Sequence, residues 1–291
     1  MKELVVISGK GGTGKTSLVG AFAALAQNKV MCDADVDAAD LHLILTPDIG
    51  QREDFQSGHE AVINLEKCIE CGTCRELCQW DAISEKFVVD GISCEGCGVC
   101  VHFCPEGAID FVQKTCGEWF ISETRFGPLV HARLGIAEEN SGKLVTLVRS
   151  EARKLAEDKG LNLILTDGPP GIGCPVIASI GGATAVLIVT EPTVSGKHDL
   201  ERVAQLSKHF RVPVLVTINK YDLNPSMAEA IERSVTEMGS EFLGRIPFDK
   251  SFTSAVVQGK TVVEFNGSAG AESVRDLWQK VASRLNALPE S

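Results

Sequence analysis

The sequence predicts a doubly wound α/β domain with a mostly parallel β-sheet, interrupted by a small α+β insertion. Five short apolar runs have the length of buried strands: 4–8, 29–32, 161–166, 185–189 and 212–218. Longer stretches between and after them have helical spacing: 16–27, 142–159, 195–210, 226–239 and 272–287. Parallel strands that are covered by helices on both faces read as continuous apolar runs. This alternation therefore indicates a sheet between two layers of helices.

A glycine-rich loop follows the first apolar run and precedes the first predicted helix. It consists of Gly9, Lys10, Gly11, Gly12, Thr13, Gly14, Lys15, Thr16 and Ser17. Its glycines let backbone N–H groups approach phosphate oxygens, and the start of the helix adds its positive end. In a loop of this kind Lys15 reaches the β- and γ-phosphates and the Thr16 hydroxyl ligates Mg²⁺. The strand–loop–helix context therefore predicts a P-loop NTPase domain.

Eight of the eleven cysteines lie in two runs of identical spacing, Cys-x2-Cys-x2-Cys-x3-Cys. The second run is followed by Pro105, and the two runs belong to an internal repeat of 26 residues. This spacing is typical of bacterial ferredoxins, in which the fourth cysteine of each run ligates the other cluster. The pattern predicts two [4Fe–4S] ligand sets: Cys68, Cys71, Cys74 and Cys104 for one cluster, and Cys94, Cys97, Cys100 and Cys78 for the other. Zinc also binds Cys-x2-Cys pairs, but four cysteines in one run, occurring twice, favour clusters.

Composition and charge exclude several classes of protein. The net charge is −11, and residues 62–113 hold nine Asp or Glu but three Lys or Arg, without a basic stripe. Nucleic acid is therefore not an expected partner. No run of about 18 uncharged apolar residues occurs, so no membrane span is expected. No signal peptide is expected, because the first apolar run begins within a few residues of Met1, and the many cysteines then indicate a reducing, cytoplasmic location.

The phosphate loop with its additional lysine resembles that of the MinD/ParA/Mrp superfamily of ATPases, which includes the nitrogenase iron protein. In that family the first lysine reaches across a nucleotide-sandwich dimer to the partner's phosphates. The resemblance implies ATP and Mg²⁺ as cofactors and a homodimer, or a heterodimer with a paralogue, in which Lys10 acts in trans. It implies a catalytic set of Lys10, Lys15, Asp33, Asp35 and Asp167.

The resemblance extends to positions further along the chain. Asp33 and Asp35 lie where the family's second motif holds Mg²⁺-linked water and orients the attacking water. The sequence Asp167-Gly-Pro-Pro-Gly resembles the family's Mg²⁺ and switch motif. The implied Mg²⁺ ligands are Thr16, Asp33 and Asp167. The implied base-binding residues are Asn219, Lys220, Pro247, Phe248 and Asp249.

Three cysteines lie outside the two runs. Cys32 and Cys116 are expected to be small buried apolar residues. Cys174 follows Asp167 at the offset at which the nitrogenase iron protein has a cysteine that binds a dimer-bridging cluster. The second bridging cysteine has no counterpart in the segment 138–143, so a structural role is favoured for Cys174.

The expected organisation is an ATPase domain at 1–56 and 114–291 and a ferredoxin domain at 57–113, with joints near 46–60 and 113–120. The leading functional hypothesis is an ATP-hydrolysing dimer that gates electron transfer through the two clusters to a redox partner. The alternative is an iron–sulfur cluster carrier or metallocofactor-assembly ATPase of the Mrp type, with a cluster-accepting partner. A third hypothesis, a MinD-like positioning ATPase, requires a membrane-binding C-terminus. The 272–287 segment is instead expected to pack on the sheet, because its acidic residues weaken any basic face.

Overall fold

A computed structural model describes residues 1–135, 141–265 and 267–289. The chain divides into two compact units. The first unit comprises Met1–Arg52, Trp119–Arg133 and Ser141–Ser291, and the second comprises Glu53–Glu118 and Leu134–Asn140. The segment 57–113, expected to form the inserted domain, lies inside the second unit.

Among the described residues, nine strands form one sheet. They are β1 (Lys2–Ser8), β2 (Lys29–Asp33), β3 (Asp48–Ile63), β4 (Ile109–Thr124), β5 (Gly127–Leu134), β6 (Leu163–Pro170), β7 (Ala185–Thr190), β8 (Val214–Asn219) and β9 (Glu241–Ile246). Their order is β3-β4-β5-β2-β6-β1-β7-β8-β9. The six pairings from β5 to β9 are parallel. The predicted mostly parallel α/β sheet is therefore confirmed.

Helices follow most of the parallel strands. The α-helices of the described residues are α1 (Lys15–Leu25), α2 (Leu41–Leu45), α3 (Thr73–Leu77), α4 (Val99–His102), α5 (Ser141–Asp158), α6 (Cys174–Ile180), α7 (Val194–His209), α8 (Pro225–Glu237), α9 (Ser251–Val257) and α10 (Ala269–Ala287). Side chains cap the starts of α7 and α8. The Thr193 hydroxyl accepts the Gly196 N–H at 2.9 Å to cap α7, and the Asn224 side chain caps α8 ahead of Pro225.

Alternate residues of β1 face two separate apolar cores. Leu4 and Val6 belong to the core that α1 and α10 cover, while Val5 and Ile7 belong to the core on the other face. Period-two alternation sends successive side chains to opposite faces, so a strand with no polar side chain between Leu4 and Ile7 must be covered on both sides. The doubly wound architecture follows from this arrangement.

The C-terminal helix packs on the sheet, as the sequence predicts. Val274 and Val281 of α10 are fully buried. Trp278 contacts Phe22 of α1, with ring centroids 5.0 Å apart, an aromatic pair worth about 1 kcal/mol beyond its buried area. No helix in the described part of the chain is long and apolar enough to cross a membrane.

The boundaries between the two units, after Arg52 and after Glu118, fall within the joints expected near 46–60 and 113–120. Both boundaries lie inside the long strands β3 and β4, each of 16 residues. Most β3 side chains are exposed, so hydrogen bonding within the sheet defines this strand without an apolar run. The strand expected at 161–166 begins at Leu163 and continues through Pro170, which places Asp167 within β6.

The second unit repeats one local structure twice. Gly72 and Gly98 have φ angles of 83° and 72° and immediately precede α3 and α4. Only glycine adopts this left-handed conformation without cost, which explains why each cysteine run has a glycine at the same place. The small core of the second unit consists of Ala61, Cys74, Ile83, Phe87 and Ile109, and partly buried cysteines surround it.

Candidate nucleotide site and cysteine cavities

The glycine-rich loop is shaped by two left-handed glycines. Gly12 and Gly14 have φ angles of 80° and 87°. Gly14 immediately precedes α1, and no side chain caps the helix at that position. A Cβ atom at Gly14 would lie 2.5 Å from the Asn219 Nδ2 atom, so no larger residue fits without displacement. Loop and helix together present the backbone N–H geometry that binds phosphate.

Lys15 lies among carboxylates at the start of α1. Its Nζ atom is 2.7 Å from Asp167 Oδ1 and 3.2 Å from Asp35 Oδ2. The lysine side chain is buried, as are all three aspartates of the predicted catalytic set. Residues expected to act together from three distant parts of the sequence are therefore brought together.

The parallel sheet places Asp33 beside Asp167. The two residues are register partners on the neighbouring strands β2 and β6. The Asp33 carboxylate accepts the backbone N–H groups of Asp35 and Leu41, each at 3.2 Å. Within the described residues, Asp167 Oδ2 is buried and has no hydrogen-bond partner. An oxygen of that kind is suited to a ligand.

The electrostatics of this cluster are dominated by negative charge. Burial raises the pKa of Asp33 well above its usual value, and the Asp167 carboxylate raises it further. Burial also raises the pKa of Asp35. Burial alone would lower the pKa of Lys15, but Asp167 and Asp35 outweigh it and raise that pKa. Carboxylate oxygens are ligands of the type that Mg²⁺ takes, but within the described residues these three side chains do not converge as a preformed single-ion site. Thr16, half-buried in the first turn of α1, adds a hydroxyl of the type that Mg²⁺ accepts.

The five residues expected at the base lie together. Asn219, Lys220, Pro247, Phe248 and Asp249 line one cavity of about 260 Å³ with Gly14 and Ser17. Asn219 Nδ2 donates to the Thr13 carbonyl at 2.8 Å, which ties the end of β8 to the phosphate loop.

The roles within this cavity differ. The Asp249 carboxylate accepts the Ser251 and Gly270 N–H groups at 2.8 and 2.9 Å, and the bond from Ser251 is the main cause of its lowered pKa. This carboxylate therefore organises the start of α9. Sequence reasoning missed Phe252 and Val256 of α9, which also line the cavity. Their spacing of four residues was the available signal.

Lys10 is paired within its own chain. Its Nζ atom lies 3.3 Å from Glu191 Oε2, and Lys220 Nζ lies 2.5 Å from Glu191 Oε1. Glu191 follows β7 and was not identified from the sequence. The neighbouring Gly9 packs tightly on α7, since a Cβ atom there would lie 2.2 Å from Asp199 Cβ.

The eight cysteines of the two runs separate into two cavities of the second unit. One cavity is lined by Cys68, Cys71, Cys74 and Cys104. The other is lined by Cys78, Cys94, Cys97 and Cys100. This grouping coincides with the two sets of four cysteines that the spacing predicts, including the exchange of the fourth cysteine of each run.

The chemistry of these thiols suits cluster ligation. Burial raises the pKa of Cys74 and Cys100, whereas a hydrogen bond with Thr73 lowers the pKa of Cys71. A bound metal would hold such thiols as thiolates. Across the described residues, no three His, Cys, Asp or Glu side chains converge in the manner of a single-ion site. Ligands of one zinc ion lie about 3.8 Å apart for tetrahedral bonds of about 2.3 Å.

The remaining cysteines lie elsewhere. Cys32 is buried in β2, and burial raises its pKa. Cys116 is buried and donates to the Ser57 carbonyl at 2.9 Å. Both fit the expected structural roles. Cys174 is exposed at the start of α6. Residues 138–140 of the segment compared with the second bridging cysteine lie outside the described residues.

Comparisons with known proteins identify the family and the fold of the chain. The model of the CobQ/CobB/MinD/ParA nucleotide-binding domain matches residues 4–262. An uncharacterized protein of Methanocaldococcus jannaschii, MJ0578, is 31% identical over 284 residues, which are 96% of each chain. The solved MinD of Pyrococcus horikoshii, complexed with Mg-ADP, has a TM-score of 0.61 at 18% identity and 98% coverage of both chains. The iron-sulfur cluster carrier protein of P. horikoshii is 23% identical over 159 residues, 50% of this chain and 54% of its own length.

Proposed function

The chain belongs to the CobQ/CobB/MinD/ParA family of nucleotide-binding domains, and we propose that it is an ATP-hydrolysing dimeric switch that gates electron transfer through two [4Fe–4S] clusters. The observation that carries this proposal is the division of eight cysteines into two cavities of four, in a chain whose other unit has a MinD-like fold. A permanent two-cluster relay and a nucleotide site in one chain favour coupling of hydrolysis to redox chemistry.

Nucleotide chemistry is assigned to the first unit. Mg²⁺ would be held by Thr16, Asp33 and Asp167, and it would neutralise phosphate charge during transfer. Lys15 would exchange its carboxylate partners for the β- and γ-phosphates. Asp35 then loses an ion-pair partner and is free to orient the attacking water. The base would occupy the cavity beside Asn219.

Dimerisation completes the site in this proposal. Lys10 would reach the phosphates of the partner protomer, which is either a second copy or a paralogue. A cation supplied in trans stabilises transition-state charge as an arginine finger does, an effect of about 10³–10⁵ in rate. Hydrolysis would therefore be slow in the monomer and would depend on protein concentration.

Electron transfer is assigned to the second unit. Each four-cysteine cavity has the donor set of a [4Fe–4S] cluster, which would supply one-electron chemistry at low potential. The redox partner would receive electrons from this unit, whose sequence between residues 62 and 113 is strongly acidic.

Chain connectivity offers a route for the coupling. Strand β4 leads from Ile109, which lines the first cavity, to β5 through a two-residue turn. Strand β5 then pairs with β2, where His131 is the register partner of Asp33. A change at Asp33 on hydrolysis would act directly on the strand that continues from the cysteine unit.

Anaerobic reconstitution tests the proposal. The reduced-cluster EPR signal, bound iron and electron delivery to an acceptor dye are measured with ATP, ADP and a non-hydrolysable ATP analogue. We expect about eight iron atoms per chain from two four-iron clusters, iron that stays bound throughout, and a severalfold change in delivery rate with ATP. The Lys15→Met variant should retain iron and lose the nucleotide dependence. An unchanged delivery rate with every nucleotide would refute the gate.

The second candidate is an iron–sulfur cluster carrier. The similarity to the P. horikoshii carrier over half of this chain favours it, as does the exposed thiol of Cys174. In that case nucleotide should release iron to an apo-acceptor protein in the same experiment. The Cys174→Ser variant should then lose transfer while keeping the iron of the two cavities. A MinD-like positioning role is less well supported, because α10 packs its apolar face on the sheet.

A further inference from the structure

Glu191 binds the two lysines that flank the nucleotide site. One carboxylate oxygen lies 3.3 Å from Lys10 Nζ and the other lies 2.5 Å from Lys220 Nζ. The Glu191 side chain is 15% exposed, whereas Lys10 is 36% exposed. The carboxylate is therefore the fixed member of the pair, and the lysine is the member that can leave.

The backbone around Glu191 is firmly held. The residue lies between the end of β7 and the start of α7. The Thr190 hydroxyl donates to the Gly196 carbonyl at 2.9 Å, and the Thr193 hydroxyl caps α7. A Cβ atom at Gly196 would lie 2.4 Å from the Glu191 carbonyl oxygen, so the turn is closely packed. A carboxylate on such a turn keeps its place while a flexible lysine moves.

Lys220 links Glu191 to the base cavity. Its Nζ atom donates to the Gly12 carbonyl at 3.2 Å as well as to Glu191. Its backbone N–H donates to the Asn219 side chain at 3.0 Å. A continuous set of polar contacts therefore runs from the base cavity through Lys220 and Glu191 to Lys10.

We infer that Glu191 is a positioning residue that holds Lys10 against its own chain and releases it when the nucleotide-bound dimer forms. The inference rests on the proposed function of Lys10 in trans. Lys10 cannot keep its pairing with Glu191 and also reach the partner's phosphates. Each protomer must therefore break this ion pair on closure, and the pair opposes closure until phosphate charge outweighs it.

The size of the effect follows from exposure. An ion pair that is partly open to solvent shifts an equilibrium by up to about fivefold. Two such pairs break in a symmetric dimer, so loss of the Glu191 charge should tighten dimerisation by up to about 25-fold. Loss of the Glu191 charge would also strengthen dimerisation of the nucleotide-free chain.

The test compares Glu191→Gln with Glu151→Gln. Glu151 is a matched control, since it is 17% exposed and pairs with Lys154 at 2.7 Å on α5, away from the site. Sedimentation velocity with a non-hydrolysable ATP analogue gives the dimer Kd. We expect an about two- to 25-fold lower Kd for Glu191→Gln and an unchanged Kd for Glu151→Gln. A Kd for Glu191→Gln that is unchanged or higher, with an unaltered melting temperature, would overturn the inference.

Two further measurements separate the causes. In a Lys10→Ala background the Glu191→Gln change should have no effect on the dimer Kd, because its target is gone. A persisting effect would overturn the inference. The Glu191→Gln variant should change the nucleotide affinity of the monomer less than it changes the dimer Kd. An equal change in both would assign the effect to Lys220 and would also overturn the inference.

The same variants distinguish this inference from the proposed function. If Lys10→Ala alone leaves dimerisation and concentration-dependent hydrolysis unchanged, the role of Lys10 in trans fails and the inference fails with it. If Lys10→Ala weakens dimerisation measurably and abolishes concentration-dependent hydrolysis while Glu191→Gln does not tighten the dimer, the proposed function stands and the inference alone fails.

Discussion

Acid should destabilise the first unit through one buried histidine. His131 of β5 is buried, accepts or donates one bond at 3.0 Å between its Nε2 atom and the Ser122 hydroxyl, and stacks on the Phe120 ring at 4.9 Å. Burial, together with the neighbouring His42, lowers the pKa of His131 to about 4. The charged form is therefore disfavoured in the folded chain.

The sign and size of the effect follow from the shifted pKa. An unfolded histidine has a pKa of about 6.5, so the unfolded chain binds a proton below that pH while folded His131 does not bind one until about pH 4. Stability is intact above about pH 6.5 and falls as the pH drops toward 4. The shift of about 2.5 units corresponds to about 3 kcal/mol when complete, and to about 2.5 kcal/mol at pH 4.5.

Urea unfolding between about pH 7 and 4.5 measures this loss. In a Trp80→Phe background the remaining tryptophans, Trp119 and Trp278, both belong to the first unit. We expect the free energy of unfolding of the parent chain to fall by about 2.5 kcal/mol more than that of His131→Gln over this range. The variant His209→Gln, at an exposed position, should follow the parent. Equal pH slopes for the parent and His131→Gln would refute the reasoning.

Three other predictions concern the two sites. Gly14→Ala should cost about 1–3 kcal/mol in urea unfolding and abolish binding of a fluorescent ATP analogue, because its φ is 87° and its Cβ would meet a side chain. Gly11→Ala has open space at the Cβ position, so a cost above about 1 kcal/mol there would contradict this account. Lys15→Met should lose nucleotide binding and destabilise the chain by about 3–5 kcal/mol, since it leaves buried carboxylates without their cation; unchanged unfolding would show that the cluster is already neutral. Cys97→Ser should lower reconstituted iron to about half that of the parent, whereas Cys116→Ser should retain it; equal iron in both would refute the assignment of Cys97 as a ligand.

Local chemistry made much of the candidate site predictable. The phosphate loop and the cysteine runs are continuous segments whose spacing is set by the ligand that they suit. Asp167 was found because an apolar strand led to it. Each of these features can be recognised within a short segment of sequence, because the spacing of residues in a strand, turn or helix determines where their side chains lie.

Long-range contacts and polar strands were not predictable in this way. Glu191 is 181 residues from Lys10, and a single glutamate after a strand carries no mark of its partner. Strand β3 is mostly exposed and charged, so it has neither an apolar run nor a clear alternation. The pairing of β3 with β4 is seen in the structure of the sheet and could not be predicted from the sequence. Tertiary pairing there overrides a weak local preference.

The surplus of buried negative charge around Lys15 has a consequence for the lifetime of the protein in the cell. Any ligand that brings positive charge to Asp33, Asp35 and Asp167 binds the folded chain and not the unfolded one. By mass action, a ligand at 100 times its Kd adds about 2.7 kcal/mol to the free energy of unfolding. Proteases sample the unfolded population, which falls about 100-fold for such a gain. If magnesium nucleotide binds at this cluster as proposed, the fraction of the protein that escapes proteolysis would rise with the supply of that ligand.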